Sequence, residues 1–401
     1  MRICLTVQRY GEDVAGGAET WSRMIGEHLV ERGHEVSVLT SCAQSYVTWA
    51  NEYPPGASDL NGVTVHRLPV DQPRHPLLFG PLNARVVWGN RPVPMSLQRH
   101  WLRVQGPWLP EQPSWYRSHT GDFDVHVFFT YLYAPTAEGI RVAAASAPTV
   151  LHPTAHDEPP FWLPIFDHEF HDATALAFAT PEEEELVRRR SGTASPGEVI
   201  GIGMDLDEAG DAGRFRRRFG LGDDPFLLFL GRVDPNKGSD EIVDYFLAYQ
   251  QRNPSDLRLV IVGDAVTRPP ESDKIVVTGY VDDQTRIDAL AACTVFVQPS
   301  YFESFSMALA EAWVHRKPAL VQGRCDVLLG QATRSQGGLP YRGFAEFEAA
   351  LDVLMAQPGL AAALGRAGRN YVDRHYSWPV VMDRYEALLD LAVARRSPSP
   401  V

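Results

Sequence analysis

Lysine is nearly missing from this chain. Of 37 basic residues among 401, only Lys237, Lys274 and Lys317 are lysines. In so arginine-biased a sequence, each lysine that is kept invites a reason. Cysteine is sparse too: Cys4, Cys42, Cys293 and Cys325 lie far apart with no C-x-x-C spacing, which excludes a zinc ribbon or a disulfide-stapled scaffold. No apolar run approaches the ~18 residues that a membrane-crossing helix needs. The opening MRICLTVQRYG reaches Arg9 without the apolar stretch of a secretion signal. Positive charge is in deficit, 37 Lys and Arg against 50 Asp and Glu for a net charge of −13, which argues against a general nucleic-acid binder. No G-x-G-x-x-G follows a strand-like run, which disfavours a nicotinamide-dependent dehydrogenase. What is present is an ordinary globular composition, 44% apolar and 22% charged with 32 Gly and 31 Pro, long enough for about two or three domains. The expectation is a soluble, reduced, cytosolic protein of enzyme size.

Along the chain, strand and helix patterns alternate. ICLTV (3–7) reads as a strand, a loop ending GGAE (16–19) follows, and Trp21, Ile25 and Leu29 recur at helical spacing until Gly33. EVSVLT (35–40) is the next strand, so the chain opens as a βαβ unit and predicts a parallel sheet. VHVFFTY (125–131) and TVLH (149–152) continue it, TPEE (180–183) has the form of a capping box on Thr180, and SGTASPG (191–197) reads as a linker. A second βα series starts near residue 199. Its strands are FLLFLGR (226–232), LRLVIVG (257–263), KIVVTGYV (274–281), TVFVQPS (294–300) and PALVQG (318–323), with helices at 240–252 and 304–313 and a helical end. Two doubly wound α/β domains with a cleft between them is the architecture this implies, since such folds bind ligands at the carboxyl ends of their strands.

Two motifs could carry chemistry. In Glu303 to Glu311, E-S-F-S-M-A-L-A-E opens directly after a strand, and a helix from Ser304 would offer its N–H groups and dipole to a phosphate. Eight helical residues rise about 12 Å, enough to set the two carboxylates on broadly one side at either end of a sugar–diphosphate–ribose unit. The competing explanation is a helix-end charge and a solvated glutamate. In G-R-V-D-P-N-K-G (231–238), Arg232 at a strand end and Lys237 before a helix could clamp a diphosphate, with Gly238 allowing close backbone approach. A surface turn with two solvated cations is the plainer alternative.

GGAE, a GIGMD hinge (201–205), GRVDPNKG and the E-x7-E of PSYFESFSMALAEAW (299–313) occur in order across nearly the whole chain. Together they resemble the family-4 class of retaining glycosyltransferases with the GT-B fold, the glycosyl transferases group 1, most closely from residue 199 onward. The resemblance implies two Rossmann-like domains facing a cleft: an acceptor-side domain over 1–198, a nucleotide-sugar-binding domain over 199–376, and a helix in 377–401 that crosses back to the first. It implies transfer of a sugar from a nucleotide diphosphate-sugar to an acceptor hydroxyl with retention, in glycan, cell-envelope or glycosylated-metabolite biosynthesis. Arg232 and Lys237 would hold the diphosphate, Glu303 the donor sugar's hydroxyls and Glu311 the ribose. Amides around Ser304, Phe305 and Ser306 would meet phosphate or sugar, Gly16 and Gly17 would let the first loop approach the donor, and Tyr280 would lie near the base. In HPTAHDEP (152–159), His156 fits the family's sugar-contacting histidine better than His152; the alternative is a polar loop capped by Asp157.

No cofactor is implied beyond the donor as co-substrate, and no metal. His152, His156, Asp157, His168, Glu169 and His171 are near in sequence, but HEFH lacks the HExxH spacing and Pro153 interrupts any continuous helix. The chain departs from the family pattern around the sugar pocket, at Ser304, Ser306, His315, Arg316 and the stretch 323–338. A sugar phosphorylase or nucleotide-sugar epimerase on the same fold is an alternative, as is a non-catalytic nucleotide-sugar-binding protein. EEEELVRRR (182–190) and RFRRRFG (214–220) read as solvated helix faces. Residues 71–117, rich in Trp, Pro and Arg with a helix expected at 95–105, read first as core or lid packing. Acceptor binding is a second reading of that segment, and peripheral contact with an anionic membrane a less favoured one.

Overall fold

The computed structural model describes residues 1–14, 16–89, 91–207, 209–231, 237–263 and 269–396. The chain divides into two compact units, one formed by Met1–Gly201 together with the chain from Met382 onward, the other by Ile202–Val381.

In the first unit, strands β1 (Arg2–Thr6), β2 (Glu35–Ser41), β3 (Gly56–Leu60), β4 (Val63–Leu68), β5 (Val125–Phe129), β6 (Thr149–His152), β7 (Ala175–Phe178) and β8 (Gly197–Val199) form one sheet in the order β3-β4-β2-β1-β5-β6-β7-β8. Every pairing is parallel except β3 with β4. Helices α1 (Gly17–Glu31), α2 (Pro76–Val87), α3 (Met95–Gln105), α4 (Gln112–Ser118), α5 (Ala134–Ala144), α6 (Asp167–Asp172) and α7 (Pro181–Ser191) provide its crossovers. β5 and β6 are buried along their whole length, the signature of a sheet covered on both faces. The exposed, polar β3 is an edge hairpin strand, turned by Asn61 (φ 53°) and Gly62 (φ 82°), the positive-φ pair a tight hairpin requires.

In the second unit, β9 (Phe226–Leu230), β10 (Arg258–Val262), β11 (Ile275–Val277), β12 (Val295–Gln298), β13 (Ala319–Gln322) and β14 (Gly338–Tyr341) form an all-parallel sheet ordered β11-β10-β9-β12-β13-β14. The helices are α8 (Ala212–Arg218), α9 (Ser239–Arg252), α10 (Asp283–Ala292), α11 (Met307–Val314), α12 (Asp326–Ser335), α13 (Phe344–Ala356) and α14 (Pro358–His375). The last helix, α15 (Trp378–Arg396), begins in the second unit and runs into the first. The expected α/β class with two Rossmann-like sheets is what the chain forms. Each sheet winds outward in both directions from one strand, β1 or β9, and the carboxyl ends beside these strands are where such folds place ligands.

Several expectations change. SGTASPG is not a free linker: Gly192 closes α7 at φ 62°, Thr193 Oγ1 donates to the Phe170 carbonyl at 2.7 Å, and Ser195 Oγ to that of Ala173 at 2.9 Å. The arginines of α8 are not merely solvated. Arg214 pairs with Asp288 on α10, Arg216 Nη1 donates to the Asp224 carbonyl (2.8 Å) and Arg218 Nη1 to Thr285 Oγ1 (2.7 Å). On α7, Arg188 meets Glu184 one turn away (2.7 Å), but Arg190 is buried against Phe161 and Phe170 and bonds Asp167 at 2.7 Å. Trp101 lies fully inside the core, whereas Trp88 is 63% exposed.

Among the described residues no single helix is long and apolar enough to cross a membrane. α13 and α14 are apolar enough together but meet at 102°, and Phe347, Leu351 and Leu354 of α13 pack into the sheet's core with Tyr341.

Candidate active site

In the second unit, the candidate residues gather where the neighbouring strands β9 and β12 end. Arg232 lies outside the described residues. Gly238 takes φ 67° to cap α9, and a Cβ there would run into the Pro299 carbonyl after β12; only glycine allows this close approach. That approach brings Lys237 Nζ to 3.0 Å from Glu303 Oε1. Gln298, the last residue of β12, donates from Nε2 to the same oxygen at 3.1 Å and to Ser300 Oγ at 3.2 Å. Glu303 is 9% exposed at its side chain and Lys237 41%, so the carboxylate is held in place and the ammonium reaches solvent.

The helix after Glu303 does not begin at Ser304. Ser306 stays extended (φ −103°, ψ 97°), its hydroxyl accepts the Leu309 N–H, and α11 starts at Met307. Phe305, 6% exposed, packs edge-on against Tyr376 with centroids 4.9 Å apart. Side-chain capping by Ser306 and burial of Phe305 outcompete a helical start three residues earlier. Glu303 and Glu311 therefore do not share one helix. Glu303 belongs to the loop before α11, while Glu311 lies inside the helix and pairs with Arg286 of α10 at 2.6 Å. The α11 N-terminus, with its positive dipole end, follows directly on the Glu303 loop. Tyr280 stands on the β11 side, 77% exposed, after Gly279 turns at φ 72°.

Neighbouring groups fix this loop. Tyr301 Oη donates to Glu241 Oε2 at 2.5 Å and Gln322 Nε2 to Glu241 Oε1 at 2.7 Å. Burial and then the Glu241 carboxylate push the Tyr301 hydroxyl up to about 12. Burial raises the Cys325 thiol to about 12 as well, with the nearby Glu303 charge adding to it.

In the first unit, Gly16 (φ 157°) caps α1, where a Cβ would run into the Glu19 carboxylate; a Cβ on Gly17 would meet nothing within 4 Å. Glu19 Oε1 accepts from Gln8 Nε2 (2.9 Å) and from Arg9 Nε (2.9 Å) and Nη2 (2.6 Å), all after β1. At the end of β6 and just beyond it, His152 and His156 part company. His152 is 0% exposed, stacked on Phe129 and Tyr385 and edge-on to Trp21, with Nε2 3.0 Å from Tyr385 Oη. Burial lowers its pKa to about 3, so it is a neutral core residue. His156 is 30% exposed at its side chain, with Nδ1 3.5 Å from Glu158 Oε1.

Residues 224–331 match the family described as Glycosyl transferases group 1. The D-inositol 3-phosphate glycosyltransferase of Stackebrandtia nassauensis is 26% identical over 98% of this chain and 91% of its own length. Among solved structures, the sucrose-phosphate synthase of Thermosynechococcus elongatus superposes with a TM-score of 0.72 at 18% identity, covering 98% of this chain and 99% of that one. The Anabaena protein HepE in complex with UDP-glucose does so with a TM-score of 0.69 at 15% identity, covering 97% and 99%. The chain is a glycosyltransferase of the GT-B type.

Several residues of this glycosyltransferase that shape the candidate site were not visible to sequence reasoning. Gln298 sits at a strand end where a residue's type says nothing of its aim. Arg286 lies on a helix remote in sequence from Glu311. Glu19 was in view as part of GGAE, but its burial with Arg9 was not. Glu183 is the N3 residue of the TPEE box, and its hydrogen bonds reach beyond its own helix. Oε1 accepts the Ala155 N–H at 2.7 Å and Oε2 the Ala179 N–H at 2.6 Å, tying down the residue beside His156. Among the described residues no three His, Cys, Asp or Glu side chains converge at metal-binding distance.

Proposed function

We propose that this glycosyltransferase moves a sugar from a nucleotide diphosphate-sugar to an acceptor hydroxyl, with retention at the anomeric carbon and no metal. The observation that carries the reading is the Lys237–Glu303 pair at the adjoining ends of β9 and β12, next to the α11 N-terminus. As the anomeric C–O bond breaks, its electron pair leaves with the diphosphate. Lys237, with Arg232 and the helix N-terminus, stabilises that growing charge. Glu303, oriented by Gln298, accepts hydrogen bonds from the donor sugar's hydroxyls, His156 contacts the sugar, and Glu311 takes the ribose. The acceptor oxygen bonds to the anomeric carbon on the same face, and its proton passes to the leaving phosphate. The first unit takes the acceptor and the second the donor. The four-motif order supports retention, and the HepE complex with UDP-glucose supports a nucleotide-sugar donor. The relatives named for inositol 3-phosphate make a phosphorylated polyol the first acceptor to try. Four scattered, buried, unbridged cysteines suit a cytoplasmic enzyme.

The test is a panel of UDP-, GDP-, ADP- and TDP-sugars, scored by thermal stabilisation and slow hydrolysis with and without EDTA, then by transfer to inositol 3-phosphate. One stabilising donor, hydrolysed regardless of EDTA, is expected; no response to any donor would end the reading. Lys237→Ala should lower turnover by about 100-fold or more, and Glu311→Ala should chiefly weaken donor affinity. Near-normal turnover in the first, or unchanged affinity in the second, would remove that residue from its role.

A further inference from the structure

The outer faces of α2 and α3 form a surface unlike the rest of the molecule. Leu77 is 79% exposed, Leu78 65%, Trp88 63% and Met95 39%, so four of the ten large apolar side chains exposed among the described residues fall within nineteen positions. On α2 and its C-cap, Leu77 and Trp88 project on one side with Leu78, Pro81 and Ala84 beside them. The opposite side, Phe79, Leu82 and Val86, packs onto the core. α3 turns Trp101 and Leu102 into the same core, and Trp101 Nε1 donates to Asn83 Oδ1 of α2 at 3.0 Å. The outer side of α3 carries Met95, Arg99, His100 and Arg103, all exposed.

Charge selects the occupant. From residue 76 to 105 the sequence holds Arg85, Arg91, Arg99 and Arg103 and not one Asp or Glu, in a chain of net charge −13. All four arginines are exposed, and Asp71, which meets Arg103 at 3.2 Å, lies outside the segment. A second copy would set these arginines against their own kind across a two-fold axis, which repels. The apolar part of α2, Leu77–Val87, is too short to span a bilayer. A leucine- and tryptophan-bearing helix face beside four exposed arginines, of which Arg103 alone is matched to an acid among the described residues, is the composition that lies in the headgroup layer of an anionic membrane. We infer that the α2–α3 face is a peripheral docking surface for anionic lipid bilayers.

The inference is independent of the reaction proposed above and is tested without it. Full-length protein is sedimented with phosphatidylcholine vesicles and with vesicles containing about one-third phosphatidylserine. Binding to the anionic vesicles alone, weakened by salt, is expected. The Leu77→Asp/Leu78→Asp variant should lose at least tenfold in partitioning and Arg99→Gln/Arg103→Gln several-fold, with melting temperatures near that of the wild type because the altered side chains are exposed. Brominated lipid should quench a fluorescence component that disappears in Trp88→Leu. Absence of anionic binding, or binding untouched by the leucine substitutions, would overturn the inference. So would a concentration-dependent dimer that Leu77→Asp/Leu78→Asp dissolves, which would make the face an interface between copies.

Discussion

Oε1 of Glu303 takes hydrogen bonds from both Lys237 and Gln298, and the two donors differ in how far the sequence exposes them. Lys237 stands out because lysine is so rare, whereas Gln298 ends a buried strand and carries no signal of its aim. Glu183 is similar, a carboxylate that looks like an ordinary first-turn glutamate until its two N–H partners outside the helix, Ala155 and Ala179, are seen. Burial raises its pKa from the usual 4.5 to about 7 against the effect of those N–H groups. An acid whose folded pKa is raised holds its proton longer when folded. The stability it contributes is therefore complete below pH 4.5 and is lost by about pH 7, at up to about 1.4 kcal/mol per pH unit. Glu183→Gln should flatten the fall in melting temperature across that window, and parallel curves for wild type and variant would dismiss the assignment. The Arg9–Glu19 pair, 6% and 7% exposed, was legible only as the acid of GGAE, because burial depends on the loop folding back.

Helix and strand identities were largely legible where periodicity ran long enough. α1, α3, α9 and the buried strands of both sheets follow the apolar pattern, and Thr180 caps α7 by accepting the Glu183 N–H at 3.2 Å. Three kinds of element escaped. The edge strand β3 is exposed and polar, so it has no apolar alternation to read. β14 is four residues containing Gly338 and Pro340, and an edge strand tolerates that proline. The start of α11 turned on the Ser306 cap and the burial of Phe305 before it, which apolar pattern alone does not reveal. Glycine also matters at this scale, where α14 meets α11. A Cβ at Gly365 would run into the Arg316 carbonyl and one at Gly368 into the Trp313 indole, while one at Gly359 would meet nothing within 4 Å. Gly368→Val should therefore cost about 1–3 kcal/mol by overpacking, and Gly359→Ala should be neutral or stabilise by up to about 1 kcal/mol through helix propensity. Urea unfolding of both variants measures the contrast, and equal effects would refute close packing as the cause.

At the scale of the whole chain, the two-unit α/β plan was legible because each βαβ series declares a parallel sheet. The fastening of the last helix was not, since it rests on contacts hundreds of residues apart. Arg32 reaches Asp383 (2.8 Å) and Glu386 (2.6 Å), and Tyr385 covers His152. Tyr385→Phe should leave His152 Nε2 buried without its partner and cost about 1–3 kcal/mol, read by chemical denaturation; a change below about 0.5 kcal/mol would show that the bond contributes little.

The first unit is made of the beginning and the end of the chain, with all of Ile202–Val381 translated between them. On the ribosome its sheet must wait, for something on the order of ten seconds at ordinary elongation rates, before Tyr385, Leu389 and Ala392 arrive to be buried in it. The portion synthesised first is thus the last to close. During that interval a nascent chain exposes the aromatic floor of Trp21, Phe129 and His152, the kind of surface that chaperones bind.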